Sequence, residues 1–198
     1  MLTKTQEHIL KFLFETKEEK HTIRGISKKL KKSYTLTYNN IINLEKEGII
    51  LAESVPPSKI IRLNEKAPEE IFIDLELKRK NGFLTKHPWI KLMLKDMMKN
   101  ILNPFFILLV FGSYAKGVQD EKSDLDLLII VWDKKQISSM KAAVLGVYTK
   151  IKKSLNVVDI EEFKEMLNGE RINIGGEAKK NHILLYGVEQ YYNLIKNR

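Results

Sequence analysis

The sequence predicts an α/β chain of the α+β kind, in two parts: a small helical part ending in a β-hairpin, and a larger part where helices alternate with apolar strands. Three observations predict it. Apolar residues recur at helical spacing through three short segments in the first 48 residues. A Pro-Pro pair divides the following segment, IILAESVPPSKIIRLN, into two strand-sized runs. Further on, LNPFFILLVFG and LDLLII are strand-sized apolar runs separated by a polar segment that begins Gly-Ser.

In TQEHILKFLFET, Ile9, Leu10, Phe12, Leu13 and Phe14 form the apolar stripe of a short core helix. Thr22 caps a second helix, TIRGISKKLKK, that ends near Ser33. The third runs through SYTLTYNNIINLEKEGII, with Leu36, Ile41, Ile42 and Leu44 expected toward the core and Gly48 at its end. APEEIFIDLELKRK and HPWIKLMLKDMMKNIL each open with a Pro in the first turn and read as two more helices, with NGF at 81–83 as the break between them. The stripe Ile90, Leu92, Met93, Leu94, Met97 and Met98 is expected to be core. A helix over roughly 136–154 precedes a short strand in LNVVD. Trp89, Trp132, Tyr191 and Tyr192 are expected to pack against the sheet.

The 198 residues are 43% apolar and 30% charged, the balance of a folded globular chain. With 0 cysteines, disulfides, thiol catalysis and cysteine zinc sites are excluded. The apolar run near the start is interrupted by charges, unlike a signal peptide, and no stretch is long enough to span a bilayer, so a cytoplasmic protein without membrane partners is expected. The net charge of +9 favours an anionic partner. Residues 1–66 hold 13 Lys and Arg against 8 Asp and Glu, and are proportionally the more basic part.

Three helices followed by a hairpin, with the phrase LEKEGII, resemble a winged helix-turn-helix over residues 1–66. That resemblance implies that the third helix enters the major groove of double-stranded DNA, with Lys31, Lys32, Tyr34, Thr35, Thr37, Tyr38 and Asn39 toward it. Such a domain also serves to dimerise or to dock a protein. Residues 67–87 are expected to be a helical connector, and 88–198 a second domain.

In FGSYAKGVQDEKSDLDLLII a strand ends in a Gly-Ser turn, and a second strand opens Asp124-Leu125-Asp126. Alternation along a strand points both aspartates to one face. Like charges so close are tolerated where cations or hydrogen-bond donors compensate them. Nucleotidyl transfer needs such a clamp, because one divalent cation activates the attacking hydroxyl and another neutralises the triphosphate. Gly112 lets phosphates approach the backbone, the Ser113 hydroxyl can donate to them, and Lys116 adds a cation nearby.

GSYAKG followed by SDLDLLII resembles the motif of the minimal nucleotidyltransferases of the DNA polymerase beta-like superfamily, with Lys116 in place of the usual Arg. HILLYGVEQYY is similar to the closing strand and helix of archaeal members that carry an N-terminal winged helix. The resemblance implies a mixed β-sheet flanked by helices, and transfer of a nucleoside monophosphate from an NTP to an acceptor hydroxyl with release of pyrophosphate. Two Mg2+ ions, or Mn2+, would be the cofactors, on Asp124, Asp126 and a third carboxylate from a later strand. Asp159 is the candidate for that third place, although an acid there can equally serve the N-terminus of the helix EEFKEML, beside Glu161 and Glu162. A different outcome of the same architecture is a DNA-binding regulator, or an antitoxin, whose transferase domain senses nucleotide or modifies a partner toxin.

Overall fold

A computed structural model describes residues 2–168 and 181–196 of the chain. It divides into two compact units, Met1–Leu75 and Glu76–Arg198.

The N-terminal unit begins with α1 (Lys4–Glu15), where Thr3 and Gln6 form a reciprocal capping box. A two-residue strand, β1 (His21–Thr22), leads directly into α2 (Ile23–Lys29), whose first turn is capped by the Thr22 hydroxyl accepting from Gly25 N. Ser33 caps α3 (Tyr34–Lys46) in the same way, through Leu36 N. The hairpin is β2 (Ile50–Val55) and β3 (Ser58–Leu63), turning at Pro56-Pro57. β1 pairs antiparallel with β3, so the sheet has the order β1-β3-β2. The core gathers Ile9, Leu10 and Leu13 of α1, Ile26 of α2, Ile41 and Leu44 of α3, and Ile50 and Ile61 of the hairpin.

The inward face of α3 is Thr37, Ile41 and Leu44, at i, i+4 and i+7. Leu36, expected inside, is instead 42% exposed. Thr37 takes the inward place because its hydroxyl satisfies itself on its own helix, donating to Ser33 O at 2.9 Å.

The next helix, α4 (Glu69–Lys86), runs unbroken through Asn81-Gly82-Phe83, and the break falls at His87. Pro88 explains this: it disfavours helical backbone at the residue before it and starts α5 (Pro88–Asn100). The division between the units lies within α4, since Leu75 belongs to the first core and Phe83 to the second. In α5 only Ile90, Met93 and Met97 of the expected stripe are buried, while Leu92 is 60% exposed and Met98 lies at the surface.

The C-terminal unit is built on a mixed sheet of order β6-β5-β4-β7, from β4 (Phe106–Phe111), β5 (Leu125–Val131), β6 (Lys153–Asp159) and β7 (Ile183–Tyr186). β4 is antiparallel to both β5 and β7, and β5 is parallel to β6. A short α6 (Gly112–Lys116) follows β4, and α7 (Gln136–Leu145) connects β5 to β6. α7 is shorter than the sequence suggested and stops at Gly146. After β6 come α8 (Ile160–Asn168) and, following β7, α9 (Val188–Lys196).

β4 and β5 are buried on both faces, which is why they read as continuous apolar runs. One face, with Leu108, Val110, Leu127 and Ile129, packs against Ile90, Met93 and Met97 of α5 and Met140 and Val144 of α7. Alternation places Leu109, Leu128 and Ile130 on the other face. Trp89 packs on the core, but Trp132, just past β5, is 44% exposed. Tyr191 is buried, and its ring meets Phe163 at 6.4 Å.

A polar cluster lies inside this unit. Glu76 is 1% exposed, pairs with Arg79 at 3.1 Å, and meets His182 Nε2 at 3.2 Å, while the Tyr192 hydroxyl donates to it at 3.4 Å. Burial first, and then the neighbouring Glu76 charge, push the Tyr192 phenol well above its usual range.

Candidate functional site

The end of β4 and the start of β5 come together through their antiparallel register, which pairs Phe111 with Asp126. The chain leaves β4 at Gly112 in the left-handed region, φ 68°, and begins α6 at once. A side chain at Gly112 would force the Asp126 carboxylate to move, because its Cβ would lie 2.2 Å from Asp126 Oδ2. The aspartate carboxylate therefore lies directly over the glycine backbone. The N–H groups that open α6 have no partner within their own helix, and no side chain caps them.

Tyr114, to which sequence reasoning assigned no role, anchors this turn. It is 5% exposed, and its ring meets His87 at 5.4 Å and Trp89 at 6.1 Å in edge contacts. Burial, reinforced by the charge of Asp120, raises its phenol above the ordinary value. Lys116, at the end of α6, is exposed.

The approach to β5 is held by a local turn. Asp120 Oδ1 accepts from the Ser123 hydroxyl at 2.8 Å and from Lys122 N at 3.0 Å, and these bonds, the hydroxyl first, depress the Asp120 carboxyl. Ser123 thus orders the loop rather than facing the carboxylate pair. Asp124 immediately precedes β5 and Asp126 is its second residue; both are partly exposed, while Leu125 and Leu127 between and beyond them are fully buried. The alternation expected from the sequence is what the strand shows. Asp124 Oδ2 meets Lys152 Nζ at 3.2 Å.

Asp159 does not join them. In the parallel register of β5 and β6, Asp126 lies beside Ser154 and Val131 beside Asp159, so Asp159 is five residues further along, about 16 Å at strand rise. It is 4% exposed and caps α8, its Oδ1 accepting from Glu162 N at 2.8 Å. Lys134 Nζ lies 3.6 Å from its other oxygen. The capping alternative therefore holds, carried by Asp159 itself, while Glu161 and Glu162 sit exposed in the first turn of α8.

On β6 the residues sharing the Asp126 face are Ser154, beside it, and Asn156, the next on that side. Sequence reasoning passed over both because neither ionises. Only the parallel register brings them to the site. Among the described residues no group of three His, Cys, Asp or Glu is placed to hold a metal ion. Two carboxylates do suit a single Mg2+ that arrives with phosphate oxygens of its own.

In the N-terminal unit, Lys31, Tyr34, Thr35, Tyr38 and Asn39 are exposed and Lys32 is partly so, whereas Thr37 is fully buried and cannot face DNA. The rings of Tyr34 and Tyr38 stack at 6.1 Å. They line a cavity of about 740 Å³ with Arg24 of α2 and Pro56, Pro57 and Lys59 of the hairpin. No helix among the described residues is long and apolar enough to cross a membrane.

No curated protein matches the chain. Among solved structures, the chain is similar to MepR, a transcription regulator of the Staphylococcus aureus multidrug efflux pump MepA, with 21% identity, 50% of this chain and 78% of that one covered, and a TM-score of 0.35. A toxin-antitoxin structure with AMP-PNP shows 19% identity over 52% of this chain and 76% of that one, with a TM-score of 0.32. TrmBL2, an archaeal chromatin protein, shows 15% identity over 90% and 70% of the two chains, with a TM-score of 0.30. Likenesses at these TM-scores are too loose to bear on either unit's chemistry. Residues 94–184 match the family model described as Polymerase beta, Nucleotidyltransferase. That segment contains β4, α6, β5 and β6 with the Gly-Ser turn and both aspartates, and over it the chain is similar to the polymerase beta-like nucleotidyltransferases.

Proposed function

We propose that the C-terminal domain binds a nucleoside triphosphate together with one divalent cation, and that the chain joins this nucleotide site to a winged helix. The phosphates lie over Gly112 and Ser113, and Asp124 and Asp126 hold the cation. The observation that carries this is the position of Asp126 Oδ2 against the bare backbone of Gly112, which brings a carboxylate and a phosphate-accessible turn into one place. Mg2+ suits two carboxylates plus phosphate oxygens, and Mn2+ can substitute.

A second reading, favoured by the family match and the intact Gly112-Ser113 and Asp124-x-Asp126 elements, is nucleotidyl transfer. In it the acceptor oxygen bonds to the α-phosphorus, the bond to the bridging oxygen breaks, and pyrophosphate leaves. For the winged helix the proposed partner is double-stranded DNA, supported by the basic Lys31 and Lys32 beside the exposed Tyr34, Thr35, Tyr38 and Asn39. A partner protein such as a toxin is the competing occupant.

Calorimetric titration of the protein with MgATP, and then with each other Mg-NTP, tests the nucleotide site. Binding that is lost in Asp126→Asn and in Asp124→Asn supports it. Unchanged binding in both variants places the nucleotide elsewhere.

A further inference from the structure

The nucleotide site proposed above has a cation site on one strand and none on the next. β6 runs beside β5 in parallel, and its residues on the Asp126 face are Ser154 and Asn156. An acid at Ser154 would lie beside Asp126, and one at Asn156, opposite Leu128, would stand on the same face two residues along; either would bring a third carboxylate to that face. Instead both side chains are neutral and partly exposed. The acid that β6 does carry, Asp159, is spent on the N-terminus of α8 at the other end of the strand. Asp124, meanwhile, is paired with the ammonium of Lys152 at 3.2 Å, the residue that leads into β6. That cation partly offsets the repulsion between the two aspartates, as a second metal ion would otherwise do, although its exposure to solvent screens the effect.

Resting on the nucleotide-binding reading, we infer that the domain is a receptor for the metal-nucleotide complex rather than a self-sufficient transferase: it takes one cation with the triphosphate, and at Asn156 it lacks the carboxylate that would hold a second and accept the proton of an attacking hydroxyl. Asn156 is close to Asp in shape but cannot accept a proton at neutral pH, and it offers a cation one neutral carbonyl oxygen in place of a charged carboxylate. The chain thereby senses a nucleoside triphosphate without consuming it. Coupling of nucleotide occupancy to the winged helix is the use that such a receptor permits.

The test counts ions. The full-length protein is saturated with a non-hydrolysable ATP analogue and titrated with Mn2+, and bound Mn2+ is read by the loss of the free-ion paramagnetic resonance signal. One Mn2+ per chain is expected for the natural protein and two for Asn156→Asp, with Ser154→Asp as the companion variant in case the first does not fold. Two Mn2+ bound by the natural protein, or no second ion in either folded variant, overturns the inference while leaving nucleotide binding intact. Failure of the natural protein to bind the analogue at all overturns the nucleotide reading and this inference with it. Label transferred from α-labelled NTP to cell extract by the natural protein, and abolished by Asp126→Asn, likewise overturns it.

Discussion

Replacing Gly112 by Ala is the sharpest test of the site's construction. Two costs are visible in the structure. An L-residue at φ 68° sits in the left-handed region, which costs about 1–2 kcal/mol. The new Cβ would also lie 2.2 Å from Asp126 Oδ2, so the carboxylate must swing away, at about 1 kcal/mol for an off-rotamer side chain. Together Gly112→Ala should lose about 2–3 kcal/mol of stability in the C-terminal unit. Gly117→Ala is the control, because Gly117 has a nearly identical φ of 70° but nothing within 4 Å of its Cβ. It should lose only the backbone share, about 1–2 kcal/mol. Urea unfolding followed by tryptophan fluorescence isolates the unit, since Trp89 and Trp132 both belong to it. The double variant Gly112→Ala, Asp126→Ala removes the clash, so the two changes should couple by about 1 kcal/mol in a double-mutant cycle. Only Gly112→Ala, by displacing the carboxylate, should also weaken MgATP binding tenfold or more. Equal losses for the two glycine variants, with no coupling to Asp126, would refute the account of the turn.

Three further outcomes are expected. Asp159→Asn preserves a good N-cap and should change stability by a few tenths of a kcal/mol, with MgATP affinity unchanged, whereas Asp159→Ala should cost about 1 kcal/mol; a loss of nucleotide binding in Asp159→Asn contradicts its placement at α8. His87 packs between Phe83 at 4.7 Å and Tyr114 at 5.4 Å, and burial, then the charge of Lys86, depresses its imidazole below the ordinary 6.5. The unfolded chain therefore binds this proton first as the pH falls, so stability should be level above about pH 6.5 and decline below it, and His87→Gln should remove that share of the decline. Lys31→Ala with Lys32→Ala should weaken binding to duplex DNA and flatten its salt dependence; no binding at low ionic strength in the natural protein would instead favour a protein partner.

Much of the architecture could be read residue by residue. Thr22 and Ser33 announce helix starts, Pro56-Pro57 a hairpin turn and Pro88 a helix boundary, because each acts through its own backbone neighbours. Asp124 and Asp126 share a strand face for an equally local reason, and Gly112-Ser113 is recognisable as a turn that a phosphate can approach. Local rules failed where the covering partner matters. Periodicity places Leu36 with Ile41 and Leu44 toward the core, but packing selects the face that holds Thr37 and leaves Leu36 exposed. Glu76 looks like one more surface acid of a helix, yet it is buried against His182 and Arg79 from over a hundred and a few residues away respectively. The site turned on the same distinction. Sequence determined two carboxylates beside a glycine turn, since their spacing is set by one strand and one short loop. Only the pairing of β6 with β5 decided which residue stands third, because a parallel register is set by packing between segments joined through α7 and not by any local pattern; it places Asn156 near Asp126 and sends Asp159 to the far end of the sheet.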